Sequence, residues 1–225
     1  MTNNPDQENV ILLLTRPLGG NERFCLKIKH LLYSCEILDN PIQKIDFLPS
    51  LSKVNKNSVL IFTSANGLRA AKKHNLINKK CFVVGANTKK IAVSFGYDVL
   101  GFSKDQENLL KLIKSKKPTE SMVHIRGKHT VGNLCDALKR NQFSCLDIIG
   151  YNQEPLKIKK QNLQKIHSGR PVILPIFSSR SAELLQSNLD LTGFNVIAIS
   201  EAVAKIVTGV ELGELVISKK PDLNS

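Results

Sequence analysis

The chain has 225 residues, 42% of them hydrophobic and 23% charged, with a mean hydropathy of -0.10; this composition excludes disordered, collagen-like and membrane-embedded classes. A chain of this length can bury roughly 70% of its unfolded surface, so its core needs no covalent or metal staple. Lys and Arg number 32 against 19 Asp and Glu, a formal net charge of +13 that favours anionic partners without specifying one.

Residues 1–9 carry Asp6 and Glu8 where a signal peptide needs a basic start, and the apolar run 10–14 is too short for a signal core or a membrane span. A cytoplasmic protein without membrane contact is expected. That run reads as the first strand. Similar β-branched apolar runs follow at 59–62, 81–84, 122–125, 172–177 and 196–199, each ahead of a stretch with helical periodicity. Such βαβα order predicts parallel sheets covered by helices on both faces. Pro175 has no N–H for a ladder, so its strand must be bulged there or have that amide turned from a neighbour.

The runs also resemble one another. Residues 59–66 line up with 174–181, which sets Ser64 against Ser179 at an offset of 115, and Val83-Val84-Gly85 lines up with Ala198-Ile199-Ser200 at the same offset. Leu13-Leu14-Thr15-Arg16 and residues 123–126 pair in the opposite chain order. A repeat that closes only cyclically predicts one lobe inserted in another. The expectation is an α/β protein of two similar lobes, each a parallel sheet flanked by helices in the flavodoxin or Rossmann manner. The host lobe would take 1–38 and 154–225, and the inserted lobe 43–149. Segments 36–42 and 147–155 would cross between them as a two-stranded linker ladder.

Ligands of open parallel sheets bind beyond the carboxyl ends of the strands, where helix N-termini present free amides. Those ends read Thr15-Arg16, Thr63-Ser64, Gly85-Ala86-Asn87-Thr88, Arg126-Gly127, Ser178-Ser179 and Ser200. Each hydroxyl taken singly fits helix capping, whereas the set together with two arginines fits carboxylate or phosphate binding. Basic residues elsewhere come as scattered pairs such as Lys72-Lys73 and Lys116-Lys117, and there is no Trp, which argues against a nucleic-acid groove. No G-x-S-x-G elbow, Walker loop or G-x-G-x-x-G follows a strand, and no pair of carboxylates has an acid/base spacing. The five histidines show no metal-ligand spacing. The five cysteines (Cys25, Cys35, Cys81, Cys135, Cys145) are odd in number and without C-x-x-C, so they read as reduced and structural. Tyr151, after the strand-like run 145–149, is either a phenolic donor to a ligand or a packing residue.

Taken in order, Leu14-Thr15-Arg16-Pro17, Phe62-Thr63-Ser64-Ala65-Asn66-Gly67, Val84-Gly85-Ala86-Asn87-Thr88, Ile125-Arg126-Gly127 with Leu134 and Leu138, Tyr151, and Phe177-Ser178-Ser179-Arg180-Ser181-Ala182 resemble the uroporphyrinogen-III synthase family over essentially the whole chain. The resemblance implies a cofactor-independent, metal-free lyase of porphyrin and heme biosynthesis. Its substrate would be hydroxymethylbilane, a linear tetrapyrrole polycarboxylate that suits the basic charge. The product would be uroporphyrinogen III, closed with inversion of the terminal pyrrole ring. It also implies a monomer in transient contact with the preceding pathway enzyme. Ser64, Gly85, Thr88, Ser178 and Ser179 are expected to bind substrate carboxylates and Tyr151 to assist departure of hydroxide, with Arg16 and Arg126 as added electrostatic candidates. In the second G-x-x-T motif of the family, Ser200 and Val203 stand where Gly and Thr are expected, which leaves Ser200 its backbone amides. The chain after Lys220-Pro221 is short for the last family helix. Two other readings stay open at this stage: a non-catalytic two-lobed binder of a polyanionic metabolite, and a nucleic-acid-binding protein motivated by charge alone.

Overall fold

The computed structural model describes residues 10–17, 19–30, 35–51, 54–130 and 132–218. The residues after Lys220 lie outside that range, and so does the expectation about the last family helix. The chain divides into two compact units, Met1–Lys44 with Glu154–Ser225, and Ile45–Gln153. No helix among the described residues is long and apolar enough to cross a membrane.

The first unit contains β1 (Val10–Leu14), α1 (Gly20–Ile28) and β2 (Cys35–Asp39). After the second unit it resumes with α6 (Lys160–Ile166), β9 (Val172–Ile176), α7 (Ser179–Asn188), β10 (Asn195–Ala198), α8 (Glu201–Val207) and β11 (Glu214–Ile217). Its sheet runs β11-β10-β9-β1-β2, and every pair is parallel. Pairing of β9 with β1 covers only Val172 and Ile173. Pro175 therefore stands beyond that short ladder, in register with Ile197 of β10. Ile11, Leu13, Leu174, Leu185 and Val207 are fully buried in one core cluster of this unit.

The second unit contains β3 (Gln43–Phe47), β4 (Val59–Phe62), α2 (Ala65–Lys73), β5 (Lys80–Val84), α3 (Ala86–Ser94), β6 (Asp98–Ser103), α4 (Gln106–Lys116), β7 (Met122–Gly127), α5 (Leu134–Arg140) and β8 (Cys145–Pro155). The boundary between units falls inside β3 and β8. The sheet order is β3-β8-β7-β4-β5-β6. The bonds Leu48 N–H to Gly150 O and Leu156 N–H to Ile42 O run β3 antiparallel to β8. Alternation along β4 shows why its whole run is apolar: Leu60 and Phe62 enter one core cluster, Val59 and Ile61 the cluster on the other face.

The two sheets repeat each other. Reading β6-β5-β4-β7-β8 against β11-β10-β9-β1-β2 gives the same order of parallel strands, with β7 and β8 matched by strands from the start of the chain. Two of these strands were not anticipated. β6 and β11 are half-exposed edge strands, so neither carries the continuous apolar run that marks a strand covered on both faces.

Two expectations are corrected. Residues 36–39, the first part of the expected linker segment 36–42, instead pair with β1 as part of β2; the neighbour of β8 is β3, farther along the chain. The cysteines are not all reduced: Cys135 of α5 and Cys145 of β8 form a disulfide with Cα atoms 5.2 Å apart. The turn at residues 141–144 returns the chain from α5 to β8, and Cys135 in the first turn of α5 meets Cys145 at the start of β8. Cys25, Cys35 and Cys81 are free.

Candidate functional site

In each sheet the strand order reverses once, between β4 and β7 and between β9 and β1. Such switch points leave an open crevice at the carboxyl ends of the strands; Ser64, Arg126, Arg16 and Ser178 stand at the ends of the bordering strands, and Gly85 and Ser200 follow the next ones, β5 and β10.

In the second unit, Ser64 stands two residues after β4 and caps α2 with extended backbone. Its Oγ accepts from the Gly67 N–H at 3.3 Å and lies 2.9 Å from the Tyr151 Oη. Capping and a second polar role thus coexist in one hydroxyl. Tyr151 is 5% exposed. Burial pushes its phenol above the usual value, against the opposing effect of the Ser64 bond, so the group is neutral and able to donate. The ring is admitted by Gly127: a Cβ there would lie 2.8 Å from Tyr151 Cε2. Gly85 caps α3 at φ 87 without a side-chain bond. Only glycine takes that left-handed value without strain, and the turn bares the first amides of the helix. Thr88, in the first turn of α3, is buried.

Arg126 is only partly available. Its Nε lies 3.3 Å from Asp147 Oδ1, and its Nη1 donates to the Gly127 carbonyl at 3.1 Å. Asp147 Oδ1 is also 2.8 Å from His124 Nδ1, and His124 Nε2 is 3.1 Å from Thr63 Oγ1. A polar chain therefore runs from Thr63 of the β4 end through buried His124 of β7 to Asp147 of β8. Burial pushes the Asp147 carboxyl up, but the bonds and charges of His124 and Arg126 outweigh it and hold the group below its ordinary value. His124 and Asp147 were not singled out from sequence, and Thr63 was named only among the polar strand ends. The available signal was a histidine and an aspartate, each inside an otherwise apolar strand, that become register partners.

In the first unit, Arg16 follows β1 and lays its guanidinium 4.2 Å from the centre of the Phe177 ring; that ring meets Phe24 edge-on at 5.1 Å. Ser178 caps α7: its Oγ accepts from the Ser181 N–H at 3.1 Å and lies 2.8 Å from Ser181 Oγ. Ser179 is the first residue of α7. The structural counterpart of the Ser64 cap is therefore Ser178, one residue earlier than the sequence register indicated. Ser200 caps α8 by backbone alone, and Val203 is buried in the core cluster of this unit.

The histidines and cysteines are not all isolated either. Ligand atoms of His124, Cys135 and Asp147 lie within 4.8 Å of one another, although no spacing along the chain suggests such a group.

A family model described as uroporphyrinogen-III synthase HemD matches residues 34–225. Comparison with curated proteins gives no match. Among solved structures, uroporphyrinogen-III synthetase from Helicobacter pylori is similar at a TM-score of 0.67 and 14% identity, over 96% of this chain and 95% of that one. A mutant uroporphyrinogen III synthase from Thermus thermophilus is similar at 0.58 and 13% identity, over 94% of each chain. At these identities the structures show the α/β fold of parallel sheets flanked by helices, while the family match extends over most of the sequence. The chain belongs to the uroporphyrinogen-III synthase family.

Proposed function

We propose that the strand-end rim around Tyr151 is where this chain performs the reaction of its family. The chain is a lyase that cyclises hydroxymethylbilane in heme biosynthesis. The observation that carries the site assignment is the 2.9 Å contact between Tyr151 Oη and Ser64 Oγ beside the β4/β7 switch point.

The terminal hydroxyl of the linear tetrapyrrole leaves to give an azafulvene cation. The far pyrrole attacks through its substituted carbon, and the resulting spirocycle fragments and recloses with that ring inverted. The neutral Tyr151 phenol donates to the departing oxygen, and Ser64 fixes the direction of the phenol. The remaining task is orientation of a flexible polyacid so that the substituted carbon meets the cation. The α3 amides opened by Gly85, with Thr88, Ser64 and Arg126, hold substrate carboxylates in the second unit; in the first unit Arg16, Ser178, Ser179 and Ser200 offer carboxylate contacts of the same kind. The net charge of +13 supports this assignment.

The finer organisation that accompanies this reading is a cytoplasmic monomer with a host and an inserted lobe linked through β3 and β8. It would receive its substrate in transient contact with the enzyme that makes it. The shared strand order of the two sheets supports the lobe assignment.

The test is incubation with enzymatically generated hydroxymethylbilane, followed by oxidation and separation of porphyrin isomers. Isomer III above the enzyme-free control is expected. Isomer I alone would overturn the reading, and tight binding without turnover would favour a polyanion-binding protein.

A further inference from the structure

We propose that Cys135 and Cys145, when reduced, join His124 and Asp147 in a site for one thiophilic divalent cation of the Zn2+ type. The site lies apart from Tyr151, since Cys135 and Cys145 are in the cluster on one face of the sheet and Tyr151 in the cluster on the other; Arg126, beside Asp147, is the one group shared with the proposed carboxylate contacts.

Three elements converge to build it. His124 stands on β7, opposite Asp147 of β8 in register. Cys145 is two residues before Asp147, hence on the same face of β8, and Cys135 reaches that face from α5. One ligand atom from each of His124, Cys135 and Asp147 falls within a 4.8 Å envelope, and the Cys145 sulfur is bonded to that of Cys135. A tetrahedral cation with sulfur at about 2.3 Å and nitrogen or oxygen at about 2.0 Å sets its donors about 3.3–3.8 Å apart. His124, Cys135 and Asp147 meet that requirement by a contraction of their envelope, and Cys145, outside it, joins by turning its side chain once the disulfide is reduced. His124, Cys135 and Cys145 are buried, whereas the Asp147 side chain is 26% exposed and gives the cation access from solvent.

Charge and second-shell bonding agree with this chemistry. Two thiolates and Asp147 supply three negative charges, balanced by a divalent cation and the Arg126 guanidinium that already touches Asp147. Binding through Nδ1 would leave the His124 Nε2–H to donate to Thr63 Oγ1, the partner it has now. A metal-bound imidazole needs such an acceptor to fix its tautomer. Thiolate sulfur favours Zn2+ over the hard cations.

The disulfide and the cation exclude each other, because only thiolates ligate. Reduction by a dithiol breaks the Cys135–Cys145 bond and forms a disulfide in the reductant; the two released thiols lose their protons as the cation binds. Oxidation by a small disulfide takes two electrons from the pair, yields two small thiols and expels the cation.

The experiment uses the full chain, reduced with a phosphine under anaerobic conditions, loaded with Zn2+ and dialysed, with bound metal measured by atomic emission. About one equivalent is expected on the reduced protein and none after treatment with oxidised glutathione. Loading with Co2+ should give thiolate-to-metal charge-transfer bands in the near ultraviolet, weakened in Cys135→Ser and absent when Cys145→Ser is added to it. The oxidised and reduced forms of the unaltered chain provide the comparison even if that variant does not fold. Zinc content equal in the two forms, or a Co2+ spectrum without thiolate bands, would overturn the proposal. So would a reduced chain that loses its cooperative melting transition and does not recover it with Zn2+.

Discussion

The phenol of Tyr151 and the hydroxyl of Ser64 lie 2.9 Å apart, joining the end of β4 to β8 across β7. Replacing the phenol while keeping the ring separates its chemistry from its packing. Tyr151→Phe should lower kcat about a hundredfold, the lower range for loss of a proton donor, with KM nearly unchanged and stability reduced by about 1 kcal/mol for one lost hydrogen bond. Single-turnover formation of isomer III, alongside urea denaturation, measures both. Unchanged turnover would remove the phenol from the mechanism.

Gly127 controls where that ring sits. A Cβ at this position would come 2.8 Å from Tyr151 Cε2 and 2.9 Å from Cζ, distances that force the ring or the β7 end to move. Gly127→Ala should cost about 1–3 kcal/mol as an overpacked core site and should reduce turnover as far as Tyr151→Phe does. If the clash is with the ring, adding Tyr151→Ala to Gly127→Ala will cost less than the two single effects combined, in a double-mutant cycle. Additive losses would place the clash elsewhere.

The pattern of what was legible in the sequence follows burial. Strands covered on both faces announced themselves as apolar runs: all four residues of β4 are buried. The cyclic repeat followed from comparing such runs. Edge strands β6 and β11, in which every residue is intermediate or exposed, carry no comparable signal. Serine after a strand correctly marked the caps at Ser64 and Ser178, but their structural match is shifted by one residue, which an ungapped register cannot express. The Thr63–His124–Asp147 chain and the Cys135–Cys145 bond depend on strand register and on the return of α5 over β8, relationships in space that one sequence does not state.

Val203 marks a departure from the family's Gly-x-x-Thr pattern, and its surroundings explain what a threonine would meet. The side chain packs in the first unit's core among Ala204, Val207 and the β10 residues Val196 and Ala198, while its N–H already bonds the Ser200 carbonyl at 3.1 Å. Val203→Thr places a hydroxyl in that apolar site and should cost about 1–2 kcal/mol with KM changed by less than about twofold, since 1.4 kcal/mol would be needed for tenfold. A clear gain in substrate affinity would show that this helix start does bind a carboxylate through its side chains.

Glu36 on β2 bonds Lys165 of α6 and, at 2.7 Å, Arg170 ahead of β9. Hydrogen bonds to Lys165 and then Arg170 hold its carboxyl below the ordinary range, outweighing burial. Folding therefore favours the ionised form, so the contribution is complete above the unfolded value near ~4.3, declines as the pH falls below it, and is lost once the pH passes the lowered folded value. The three side chains are partly solvent-exposed, which limits the pair to about 1 kcal/mol. Glu36→Gln should thus be less stable than the unaltered chain by about that amount at neutral pH, and the gap should close in acid. Urea denaturation of both proteins across the acid range measures it, with 1 M salt expected to shrink the neutral-pH gap by screening. A gap that persists unchanged into strong acid would mean that Glu36 acts through packing and not through its charge.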